Sequence, residues 1–117
     1  MQTIDEIRQE EQARLERAWQ YQKVLSRQTD LRATITRLTP QVTEFNATID
    51  LLTRIETLAS DLPERLTGTH SFQCRAQIVG ACLAARTSEQ KRRAKAQREI
   101  ADAEAALPEI DAMLAQF

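Results

Sequence analysis

The sequence predicts an all-α protein: a long antiparallel helical hairpin or coiled-coil bundle, with its first long helix kinked near Pro40. Three observations predict it. Leu31, Ile35, Leu38, Val42, Phe45, Ile49 and Leu52 alternate spacings of four and three, which is a heptad seam. The 117 residues include only two Gly and three Pro, and no run alternates apolar and polar residues with period two, so nothing reads as a strand. Two stretches of helical period are separated by one dense cluster of turn residues, Thr67-Gly68-Thr69-His70-Ser71.

The elements are arranged in order as one domain, 1–117. Thr3 is placed to cap a helix and Glu6 to close a capping box with it. From Ile4 a ragged stripe near period 3.6 leads through Ile7, Leu15 and Ala18 or Trp19 into the seam, giving a long helix over about 3–59. Trp19 and Tyr21 fall on different faces, so one packs against the returning chain and the other is exposed. Pro40 lies inside the seam, and Thr39-Pro40 also reads as a helix start. Yet the register runs through it and places Pro40 opposite the seam, which favours one kinked helix over two. A short helix and turn span about 60–71: Asp61 caps residues 62–66, Gly68 closes that segment, and Ser71 caps the second long helix. This second helix covers about 72–116. Phe72, Ala76, Ile78, Val79, Cys82 and Leu83 open it, and Ile100, Ala103, Leu107, Ile110, Leu114 and Phe117 close it in heptad spacing. Thr87-Ser88 is a place where it could restart, and Leu107-Pro108 marks a kink or break near its end.

A reversal near residue 66 sets residue i against about residue 132 − i. Val79 and Cys82 then meet Leu52 and Ile49, and Leu107, Ile110 and Leu114 meet Leu25, Gln22 and Trp19. The middle finds no such mate. Leu31, Ile35 and Leu38 face Arg86–Arg98, where charge prevails, and a Leu or Ile left in water forfeits about 1.5–3 kcal/mol. Val and Ile at a with Leu at d favour a two-stranded coil, and the e and g positions are largely uncharged. Both point to a homodimer of hairpins joined through Leu31, Ile35, Leu38, Val42 and Phe45; the alternative is a bundle that buries the seam within one chain.

Net charge is −1, so no global field selects a polyanion. No 18-residue apolar run suggests a membrane span, and the opening MQTIDEIRQEEQ lacks the basic start and apolar stretch of a signal peptide. Cys74 and Cys82 on one helix would stand about 12 Å apart, too far for a disulfide, which fits a reduced cytoplasmic setting. Arg86, Lys91, Arg92, Arg93, Lys95 and Arg98, against Glu89 alone, form a basic segment for an acidic partner or phosphates. Lys95 with Glu99 and Arg98 with Asp102 stand at i,i+4 and can offset that charge. His70, the single histidine, sits beside Thr67, Thr69 and Ser71 with no acid to orient it, and no cysteine or histidine has ligand spacing. No catalytic residue, metal site or cofactor is expected. The reading is a non-enzymatic protein-binding module that self-associates, such as a scaffold, assembly factor or phage-type inhibitor or regulator. A nucleic-acid or ribonucleoprotein accessory factor working through residues 86–98 is the alternative.

Overall fold

The computed structural model describes residues 2–61 and 69–117, and two helices account for nearly all of them. Helix α1 runs Ile4–Ser60 and helix α2 runs Thr69–Ala115, and they pack against each other as an antiparallel hairpin. Among the described residues there is no strand. The expected short helix at 62–66 and the expected helix-closing role of Gly68 lie outside the described residues.

The start of α1 is built as its sequence requires. The Glu6 amide donates to Thr3 Oγ1 at 3.2 Å and the Thr3 amide donates to Glu6 Oε2 at 3.3 Å, a reciprocal capping box. At the other end the Asp61 amide still donates to the Thr57 carbonyl, at 3.0 Å, and α1 stops there. It passes through Pro40 as one helix, so the two-helix alternative is not adopted.

α2 differs from expectation in three places. It begins at Thr69, three residues early, so Ser71 is inside the helix rather than its cap, and His70 belongs to the first helical turn. It does not restart at Thr87-Ser88: Thr87 Oγ1 donates back to the Leu83 carbonyl at 2.9 Å, satisfying the hydroxyl inside a continuous helix. It also continues through Pro108 to Ala115. Pro108 and Glu104, whose carbonyl loses its donor, are both exposed, so water can take up the orphaned acceptor; Pro40 and Thr36 stand in the same relation on α1.

The chain divides into two compact units, one of residues 1–36 with 100–117 and one of residues 37–99. In the second unit Leu38, Ile49 and Ala59 of α1 and Cys82 and Ala96 of α2 are buried. Large side chains on α1 thus share this core with small ones on α2. In the first unit Ala103 and Ile110 are the buried residues, with Val24, Leu25, Leu31, Ile35, Ala106 and Leu107 half-buried. The seam read from the sequence is the inward face of α1.

Candidate interaction surface

Side chains that cross between the helices fix the register. In the second unit the Arg86 guanidinium lies 2.5 Å from Glu56 Oε2, and Arg93 donates to Asn46 Oδ1 at 2.9 Å. In the first, Gln28 Nε2 donates to Asp111 Oδ1 at 2.6 Å, and the rings of Tyr21 and Phe117 meet edge to face with centroids 5.7 Å apart. A reversal near residue 66 would have set residue 86 against 46, 93 against 39 and 111 against 21. The true register is displaced by about two turns of helix. In this register Glu56 meets Arg86 and Asn46 meets Arg93, two polar pairs that close along the helix–helix packing.

The basic segment, read as a stretch where charge prevails, gives α1 polar partners and one buried alanine. Its cations divide. Arg86 and Arg93 turn toward α1 and are held by Glu56 and Asn46. Ala96, between them and the C-terminal heptad, is buried. Arg92 pairs with Glu89 at 3.3 Å, its side chain still 65% exposed. Lys91 and Arg98 are exposed on the outer side of α2, and Lys95, also exposed, borders the groove toward α1. Neither the Lys95–Glu99 nor the Arg98–Asp102 ion pair is formed.

The five seam residues expected to join two copies have definite places. Leu38 is buried, and Leu31, Ile35, Val42 and Phe45 are half-buried. Leu38, Gln41 and Phe45 line an open groove of about 220 Å³ with Arg92, Lys95, Ala96 and Glu99. That is below the range typical of small-molecule sites, so Phe45 is an edge of the helix–helix packing rather than the floor of a ligand pocket. Leu38 does face the basic segment, since Arg92, Lys95 and Ala96 share its groove, and it is buried there all the same.

Two apolar surfaces do stay outside. Leu51, Ile55 and Leu58 are 56%, 39% and 70% exposed. Their spacing of four and three sets them on one strip of α1 that borders the packed face, with Ile55 one turn before buried Ala59. Ile78 and Leu83 of α2 are also exposed in this unit. The second surface is the amino-terminal arm of α1. Tyr21 is where α1 meets Phe117, and every residue from Gln2 to Lys23 is exposed. The arm carries Ile4, Ile7, Leu15 and Trp19, with Lys23 Nζ 3.8 Å above the Trp19 ring. Exposing an Ile or Leu forgoes about 1.5–3 kcal/mol of burial each. The sequence did hold a signal for the first surface, a second four-three spacing one position away from the seam. The seam's greater length masked it.

Cys74 is exposed and Cys82 buried, and neither forms a disulfide. Among the described residues no group of three or more His, Cys, Asp and Glu converges, and no helix is long and apolar enough to cross a membrane. Comparison with protein-family models, curated proteins and solved structures yields no match.

Proposed function

We propose that this chain is a non-enzymatic protein–protein interaction module that self-associates and binds a protein partner, in the manner of a scaffold, assembly factor or regulator. The observation that carries the reading is the exposed stripe Leu51, Ile55 and Leu58 on a helix whose adjoining face is already packed. A helix with two apolar faces has one more than the hairpin uses. Three anchors at i, i+4 and i+7 are the pattern by which a helical face is taken into a groove or laid against another helix.

The test compares proteins retained from a native-host extract by the intact chain and by a Leu51→Asp/Leu58→Asp variant of equal helix content. A species lost by about tenfold or more with the variant supports the reading. Retention that ignores both substitutions sinks it. The second reading, a nucleic-acid accessory role, is favoured by Lys91, Lys95 and Arg98, which are exposed and form no ion pair. A gel shift at about 50 mM salt, abolished by Lys91→Glu/Arg98→Glu, would establish it, since phosphate contacts are strongest at low salt. No shift with single- or double-stranded DNA or RNA removes it.

A further inference from the structure

We infer that the amino-terminal arm, residues 4–20, is the self-association element: two copies pair arm on arm, antiparallel, about a two-fold axis near residues 11 and 12. The inference rests on the interaction-module reading and names a second copy of this chain as the arm's occupant. Ile4 and Leu15 are 71% and 62% exposed, and no described residue covers the arm. Ile4, Ile7, Leu15 and Ala18 fall on one side of the helix with Trp19 at its edge, and Glu11 interrupts the stripe at its centre. A lone helical segment of this length is marginal in water, and burial of its apolar side is what makes such a segment persist.

Charge selects the occupant and its direction. Residues 5–11 hold four carboxylates, Asp5, Glu6, Glu10 and Glu11, against Arg8. Residues 12–23 hold Arg14, Arg17 and Lys23 against Glu16. A parallel pair stacks acid on acid and base on base; an antiparallel pair crosses them and is its own complement. The same crossing brings Ile4 of one copy level with Trp19 of the other, and Ile7 level with Leu15. Glu11 already pairs with Arg14 along its own helix. At the dyad it can reach Arg14 of the other copy as well, so the charge in the middle of the stripe is answered. The same patch serves both copies, so the contact closes as a dimer and does not propagate. Two arms of roughly 25 Å bury an area at the low end of specific interfaces.

Sedimentation of the whole chain, from about 1 to 200 μM at low salt, tests this. The expected result is a concentration-dependent dimer that Ile7→Asp/Leu15→Asp converts to a monomer whose hairpin still melts cooperatively while helix content falls by no more than the arm's share, because the arm packs on nothing within its own chain. The decisive arm is a charge exchange. Glu10→Lys/Glu11→Lys and Arg14→Glu/Arg17→Glu each weaken self-association by about tenfold or more, and an equimolar mixture of the two restores it. A chain that stays monomeric throughout overturns the arm pairing, as does a dimer indifferent to all of these variants. A dimer lost with Leu51→Asp/Leu58→Asp but kept by Ile7→Asp/Leu15→Asp also overturns it and leaves the interaction-module reading in place. That reading falls separately, through the host-extract comparison.

Discussion

The guanidinium of Arg93 donates to the side-chain oxygen of Asn46 at 2.9 Å, joining residues 47 apart in the chain. With Glu56 and Arg86 it holds α2 in one register against α1. Cysteines placed at 46 and 93, in a Cys74→Ser/Cys82→Ala background, should therefore be joined by a short bifunctional maleimide. Cysteines at 39 and 93, about two turns out of step, should not be. Intramolecular cross-linking read by mass is the measurement, and equal yields from both pairs would contradict the register.

Glu56 and Arg86 have side chains 24% and 22% exposed, and Glu56 Oε2 is buried beside the guanidinium without a well-aligned hydrogen bond. Removing the cation leaves a shielded carboxylate with no counter-charge. Arg86→Ala should cost about 1–3 kcal/mol in urea unfolding, solvent screening keeping it below the cost for a fully buried pair. Glu56→Leu/Arg86→Leu should recover most of that loss. Additive losses in the double variant would mean that the two charges do not interact.

Ala103 is 3% exposed and Ala96 5%. Ala96 borders the groove beside Phe45, whereas a longer side chain at Ala103 has to be forced into the packing. Ala103→Leu should destabilise by about 1–3 kcal/mol, whereas Ala101→Leu, at an exposed position of the same helix, should change stability by less than about 0.5 kcal/mol. Equal effects at the two sites would show that the helices do not approach as closely as the burial indicates.

Pro40 supplies no amide to the Thr36 carbonyl, and the boundary between the two compact units falls directly after Thr36. Pro40→Ala restores the donor and should raise stability by about 1–3 kcal/mol, with slower amide exchange over the neighbouring turns. Unchanged stability would indicate that the helix already offsets the missing bond.

Several features were legible because their causes are local. The Thr3–Glu6 box needs only four consecutive residues to form, and it forms. The seam requires only a repeat, and its residues from Leu31 to Leu52 are the half-buried and buried face of α1. Proline was the weaker guide. Pro108 reads as a stop, but a missing amide matters little where the abandoned carbonyl faces water. Ser71 reads as a cap, but a hydroxyl near a helix start marks the boundary only to within a turn.

The sequence by itself determined that the chain is two long helices and which side of each turns inward, because helical period and capping are properties of neighbouring residues. Only the tertiary structure decided the register. Apolar side chains are nearly interchangeable along a seam, and a slide of two turns costs them little. Glu56 with Arg86, Asn46 with Arg93, and the close fit of Ala96 and Ala103 are not interchangeable, and they hold at one setting. That setting gives Leu38 its burial, divides the basic segment into cations that face α1 and cations that face water, and leaves Ile4, Ile7, Leu15 and Trp19 without cover among the described residues.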